Sequence, residues 1–201
     1  MSHSYDTPPW PPAVKDQALR WLEEAQASEP SYPNAATLAT CNGQGRVSAR
    51  VMLVKAIDER GLVFFTNSLS RKGRDLAVNP QAALSFYWKS LARQLRTEGR
   101  IERIADSESD AYFATRPRTS QLGAWASMQS QAMPADNALQ ARLKMMEDRF
   151  GDQPVPRPPH WCGYRLVPDY VEFWQEGEFR LHERDVWRVE EGRWIQEKRF
   201  P

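Results

Sequence analysis

Two turn sequences, Asn42-Gly43-Gln44-Gly45 and Asp58-Glu59-Arg60-Gly61, follow each other so closely that only short antiparallel strands fit around them. Thr37 to Cys41, Val47 to Ala56 and Leu62 to Thr66 carry the β-branched and apolar residues of such strands. Glycine stands where a hairpin turn needs positive φ. The same rhythm resumes at Ala82 to Trp88 and Gln94 to Ile104. It returns near the C-terminus with Cys162 to Val167, Tyr170 to Gln175, Arg184 to Val189 and Trp194 to Phe200. A meander of this length is expected to close into a barrel, because closure removes unpaired strand edges.

Helical spacing is confined to a few segments. Lys15 to Ser28 brings Leu19, Trp21, Leu22 and Ala25 onto neighbouring turns. Ser70 can cap a short helix through Val78, stopped before Pro80. Ser107 to Thr115 has Ser107 and Asp110 at capping-box spacing. Ala135 to Phe150 is amphipathic through Leu139, Leu143, Met146 and Phe150, which reads as core packing. The expected class is mainly β with peripheral helices (α+β). Residues 1–14, rich in proline, read as a flexible N-terminal arm, and residues 15–201 as a single domain with a proline-rich linker from Asp152 to Pro159.

The 201 residues, 41% of them hydrophobic, suffice for one sizeable core. A net charge of +1 with dispersed basic residues argues against nucleic acid as a partner, and no apolar run approaches a membrane span. Cys41 and Cys162 are too far apart in sequence to suggest a metal motif, and none is expected. Without a secretory pattern at the N-terminus or a disulfide framework, the expected location is cytoplasmic.

The stretch from Tyr112 to Ser130 interleaves aromatics, arginines, hydroxyls and amides. Pro117 forbids one continuous helix and suggests a helix end followed by a turn. Tyr112 and Arg116, four apart, share a face of the helix before the break. A planar arginine fork, a phenol and small donors suit a planar ligand that carries a phosphate. Arg50 and Lys55 lie five apart on one strand and so face opposite ways, although two solvated cations on an edge strand account for them equally well. Ser70-Arg71-Lys72 opens a helix, where free N–H groups favour phosphate. Arg180 and His182, two apart, share a face if they lie on a strand.

Four ordered blocks carry a family resemblance. They are Arg50-Val51-Met52-Leu53-Val54-Lys55; Phe64-Phe65-Thr66-Asn67 with Ser70-Arg71-Lys72-Gly73; Tyr112-Phe113, Arg116-Pro117 and Ser120 through Ser130; and Glu172-Phe173-Trp174-Gln175 through Arg180-Leu181-His182-Glu183-Arg184. From about Pro33 to the C-terminus the chain resembles the pyridoxamine/pyridoxine 5′-phosphate oxidase family. The resemblance implies an FMN-binding split β-barrel, paired as a homodimer with flavin at the subunit interface. It implies oxidation of pyridoxamine 5′-phosphate and pyridoxine 5′-phosphate to pyridoxal 5′-phosphate, with O2 as acceptor and H2O2 as by-product. By the same resemblance Arg50 through Lys55, Phe65, Thr66, Arg71, Lys72, Gln94, Gln129, Ser130, Trp174 and Arg184 contact the cofactor. Arg50, Arg71, Lys72 and Arg184 then form a concentration of cations suited to its phosphate. Lys55, Tyr112, Arg116 and Ser120 hold the substrate phosphate, while Arg180, Leu181 and His182 face the substrate and Arg180 and His182 serve catalysis.

The chain departs from the family pattern in places. It has no Arg-Arg-x-Tyr string in its arm, Cys162 and Glu176 replace glycines, and Glu183 replaces an aspartate. Two alternatives stay open: a flavin oxidase of another planar aromatic such as a phenazine precursor, and a non-catalytic module that binds flavin or pyridoxal phosphate.

Overall fold

A computed structural model describes residues 7–201. Helix α1 (Pro12–Ser28) precedes three strands, β1 (Ala35–Cys41), β2 (Val47–Asp58) and β3 (Gly61–Asn67). Helix α2 (Arg71–Val78) leads to β4 (Gln81–Trp88) and β5 (Arg93–Arg103). Three helices follow, α3 (Asp106–Ala114), α4 (Arg118–Ala126) and α5 (Ala138–Phe150). The chain ends in β6 (Trp161–Gln175), β7 (Glu183–Glu190) and β8 (Arg193–Lys198). Each neighbouring pair in the order β3-β2-β1-β4-β5-β6-β7-β8 is antiparallel. A further β3–β6 ladder closes six strands into a barrel and leaves β7 and β8 as an arm. No helix among the described residues is long and apolar enough to cross a membrane.

The barrel interior follows from strand alternation. Ala82, Leu84, Phe86 and Trp88 of β4 point inward, as do Leu95, Thr97 and Ile101 of β5. Leu38, Leu62, Phe64, Leu166 and Val171 complete the same core. Helix α1 adds Val14, Ala18 and Ala25, and its Trp21 ring meets Phe173 edge-on at 5.1 Å.

Several expectations are corrected. The part of the flexible arm in residues 1–6 lies outside the described residues, but the rest is ordered. Pro12 starts α1, where a fixed φ suits a first helical turn. Trp10 is buried and donates its indole N–H to Asp58 O at 2.9 Å. The two expected strands between residues 162 and 175 are one strand. Pro168 makes no turn, because a register shift between Glu98 and Gly99 absorbs it. Gly99 is required there, since a Cβ would lie 2.1 Å from Val167 O. Ser107 forms no cap, because α3 begins one residue earlier and takes that position into its first turn. Pro117 does more than end α3: it is the N-cap of α4, a helix not expected from the sequence. Helix α5 starts at Ala138 and contributes only partly to a core. Leu143, Met146 and Phe150 pack against Phe113, Leu122, Val155 and Trp161, whereas Leu139 is 44% exposed.

One ion pair ties the β2–β3 turn to β6. Arg165, 3% exposed, donates to Asp58 Oδ2 at 2.7 Å, while Asp58 Oδ1 accepts the N–H groups of Arg60 and Gly61. Burial opposes ionisation of Asp58, but the Arg165 and Arg60 hydrogen bonds and their charges outweigh it and hold the carboxyl below its ordinary pKa. Asp58 therefore contributes stability above the ordinary carboxylate pKa and loses it as pH falls through the lowered folded value. Asp58→Ala leaves the buried Arg165 guanidinium only the longer Glu108 contact at 3.9 Å and should cost about 3 kcal/mol in urea unfolding at neutral pH. A loss under about 1 kcal/mol would show that Glu108 or water already serves Arg165.

Candidate active site

The first half of the site forms where β2, β3 and α2 meet. Ser70 caps α2 by accepting the Gly73 N–H, which places Arg71 and Lys72 on the first turn. Lys72 is 7% exposed, and its Nζ donates to Gln129 Oε1 at 2.8 Å and Thr66 Oγ1 at 3.1 Å. Among the described residues no carboxylate pairs with it. Burial, reinforced by the Arg50 charge, brings its pKa down to about 8. Arg50 donates to Thr40 Oγ1 at 2.7 Å and to Ser48 Oγ, and both hydroxyls reach Asp75 Oδ2. Burial lowers the Arg50 pKa, Asp75 raises it and Arg71 lowers it. Three cations thus surround the start of a helix with one carboxylate, Asp75, reached only through hydroxyls. A phosphate is the group that balances such a corner.

Next to it, Val51, Leu53, Lys55, Tyr112, Arg116 and Ser120 line a cavity of about 460 Å³. The four residues expected to grip the substrate phosphate are therefore brought together. Lys55 faces this cavity with Val51 and Leu53, whereas Arg50 turns to Thr40, so the two cations serve different places as strand parity required. A second cavity of about 370 Å³ shares Met52, Phe65, Arg116 and Ser120 with the first and continues to Thr66 and Gln129. Pro117 explains the grouping: α3 ends at Ala114, so Arg116 lies in the turn beyond it and not on a helix face shared with Tyr112 as expected, and Pro117 restarts the chain so that Ser120 falls on the first turn of α4. Phe65 forms the floor. Its ring stacks on Tyr112 at 4.2 Å and on Trp161 at 5.0 Å.

The second half lies on β5, β6 and β7. Gln94, Trp174 and Arg184 stand side by side across the three strands. The Trp174 and His182 rings are 4.7 Å apart, and His182 Nδ1 accepts the Gly177 N–H at 3.3 Å. Arg180 and His182 do not share a strand face. The chain reverses at Phe179 and Arg180, with φ of 54° and 65°, and presents Arg180 and Leu181 to solvent. The reversal closes so tightly that a Cβ on Gly177 would lie 2.1 Å from Leu181 O. Arg184 does not join the cation cluster either. It forks onto Glu172 at 2.7 and 3.1 Å, and Glu172, 1% exposed, also accepts from Arg96 and Tyr170.

Within one chain the halves are far apart. Gly163 of β6 pairs with Phe65, and Trp174 lies eleven residues further along the strand. At ~3.3 Å per residue that is roughly 35 Å measured along the strand. Ser130, with φ of 70°, and Gln129 sit on the exposed turn after α4, beside the first half. The roles of Thr40, Ser48 and Asp75 around Arg50 were missed, because they depend on cross-strand register and not on spacing in the sequence.

Residues 22–149 match the family model described as pyridoxamine 5′-phosphate oxidase. Residues 161–201 match the model described as the pyridoxine 5′-phosphate oxidase C-terminal dimerisation region. Pyridoxine/pyridoxamine 5′-phosphate oxidase of Cupriavidus necator is 53% identical over 90% of this chain and 85% of its own. That of Myxococcus xanthus is 49% identical over 95% of this chain and 93% of its own. Among solved structures, PhzG from Burkholderia lata, in complex with tetrahydrophenazine-1-carboxylic acid, has a TM-score of 0.89 and 33% identity, covering 100% of this chain and 98% of that one. A pyridoxamine 5′-phosphate oxidase-related, FMN-binding protein from Nostoc punctiforme shares the fold, with a TM-score of 0.74 and 18% identity over 92% and 96% of the two chains.

Lys72 makes the phosphate corner testable without ligand. Its folded pKa of about 8 lies below its ordinary 10.5, so between those values the unfolded chain binds more protons and stability from this group rises with pH. In cofactor-free protein Lys72→Met should gain on wild type at pH 7, and the gain should shrink as pH rises from 8 towards 10.5. A stability difference independent of pH would mean that Lys72 is not held in a desolvated, uncompensated state.

Proposed function

The chain belongs to the pyridoxamine 5′-phosphate oxidase family, and on that premise we propose that it is an FMN-dependent oxidase of pyridoxine 5′-phosphate and pyridoxamine 5′-phosphate. The products are pyridoxal 5′-phosphate and H2O2, and the enzyme acts in the cytoplasm. The observation that carries this reading is the presence of two separate anion-receiving corners on one aromatic floor. Arg50, Arg71 and Lys72 fit one phosphate, and Lys55, Tyr112, Arg116 and Ser120 fit another. Arg116 is decisive, because its Nη1 is buried without a hydrogen-bond partner. Such an orphan donor is costly unless a ligand accepts from it.

The residues present fit FMN. Lys72 and Arg50 would hold its phosphate beside the α2 N–H groups, with Arg71 adding charge from the exposed side. Phe65 and Thr66 would line the ring, and Gln129 and Ser130 would meet its polar atoms. When bound, FMN supplies the two-electron redox chemistry, so the protein needs no acid–base dyad. Lys55, Tyr112, Arg116 and Ser120 would anchor the substrate phosphate and thereby aim C4′. Arg180 would stabilise charge as C4′ is oxidised, and His182 would orient the substrate ring oxygen. Gln94, Trp174, Arg180, His182 and Arg184 reach the first half only from a second copy of the chain. The functional unit is accordingly a homodimer, a reading supported by the dimerisation-region match over residues 161–201.

The full-length likeness to PhzG supports a second reading, oxidation of a phenazine precursor. The intact phosphate cradle favours the vitamin-phosphate substrates, as does the higher identity to relatives named for them. Holoprotein mixed separately with pyridoxine 5′-phosphate, pyridoxamine 5′-phosphate and a tetrahydrophenazine carboxylic acid should release peroxide with the first two. Peroxide from the phenazine acid alone would reverse the choice, and none from any of the three would leave a binding module.

Arg116→Ala should remove roughly 1.5–3 kcal/mol of binding, about one to two decades in kcat/KM for pyridoxine 5′-phosphate. The loss for unphosphorylated pyridoxine should be slight, and equal losses would assign Arg116 to the fold or the flavin. FMN should bind orders of magnitude more tightly than riboflavin, given ~1.5–3 kcal/mol for each charge-assisted hydrogen bond. Equal quenching of the two flavins' fluorescence on binding would contradict the phosphate corner.

A further inference from the structure

Trp161 has a use beyond core packing. It is the first residue of β6, 7% exposed, and its indole does three things at once. It stacks on Phe65 at an interplanar angle of 8°. It meets the Phe113 ring edge-on at 5.1 Å. It also lies beneath the Arg116 guanidinium, whose central carbon is 5.0 Å from the indole centroid and 5.5 Å from that of Phe113. No carboxylate pairs with Arg116 among the described residues, and burial lowers its pKa. Arg116 is half-buried, with its Nη1 fully so, and a guanidinium withdrawn from water ordinarily needs a carboxylate beside it. Here two aromatic faces occupy that place.

The difference matters for anion binding. A carboxylate would hold Arg116 equally well but would neutralise it and repel a phosphate. An aromatic face holds the cation through its quadrupole and leaves net charge and N–H donors free. The geometry points to Trp161 as a positioning residue that keeps Arg116 charged, rigid and aimed for the substrate phosphate. Trp161 acts through Arg116 and touches no reacting atom. This rests on the proposed phosphate-bearing substrate.

The test uses anaerobic calorimetry on protein loaded with chemically reduced FMN, titrated with pyridoxine 5′-phosphate and with pyridoxine, so that no hydride can pass to the flavin and binding alone is read. Wild type should prefer the phosphorylated ligand. Trp161→Leu should cut that preference about tenfold, while Trp161→Phe, which keeps a flat aromatic face, should retain most of it. In the Arg116→Ala background, Trp161→Leu should produce little further loss, because the partner it positions is already gone. If Trp161→Leu proves insoluble, Trp161→Met makes the same comparison. Equal weakening of both ligands, or a loss that adds fully to that of Arg116→Ala, would reduce Trp161 to core packing and overturn the inference. A wild type indifferent to the phosphate would overturn the substrate reading itself, and the inference with it.

Discussion

Closure of the barrel through the β3–β6 ladder is the constraint on which the rest depends. It presses Phe65 and Thr66 against the start of β6, which brings Trp161 under Arg116 and closes the aromatic floor. It also commits β6 to a second task. The strand is long enough to leave the barrel wall and pair with β7, and it carries Trp174 far from the floor it began on. One strand thereby anchors both halves of the site while keeping them apart within the chain. Local pairing rules, not long-range forces, set this distance.

Electrostatics give the two ends of β6 different characters. Around α2 and α3, cations are buried or half-buried with too few carboxylates: Lys72 has amide and hydroxyl acceptors, Arg50 has hydroxyls, and Arg116 has aromatic faces. The free energy of folding gains little from such groups, so their burial suits ligand binding better than stability. Around β7 carboxylates stand beside the cations, with Glu98 3.3 Å from Arg96. Glu172 satisfies Arg96, Arg184 and Tyr170 together, and burial, which opposes its ionisation, is outweighed by these partners. That network ties β5, β6 and β7 together through one buried carboxylate.

The strands were legible because their turns are written in glycine and aspartate, and the cation cluster was legible because a capped helix start has a short local signature. Other features were hidden for physical reasons. Pro117 reads equally as a stop and as a start, so α4 was missed. Pro168 suggested a turn, but a bulge lets one strand run through it. Phe179 and Arg180 adopt positive φ without glycine, and nothing in their side chains announces it, so the expected strand face for Arg180 and His182 was wrong. Trp10 lies in a proline-rich stretch that resembles a disordered arm, yet a buried indole with its N–H satisfied is enough to pin it.

The claim that two halves, one from each copy, make one oxidase site is open to direct complementation. One parent carries Lys55→Ala with Arg116→Ala, and the other carries Arg180→Ala with His182→Ala. Each alone should release almost no peroxide from pyridoxine 5′-phosphate. After subunit exchange, half of the dimers are mixed and each mixed dimer holds one intact site, so activity should recover to roughly a quarter of wild type. A mixture that stays at the level of its parents would contradict the shared site.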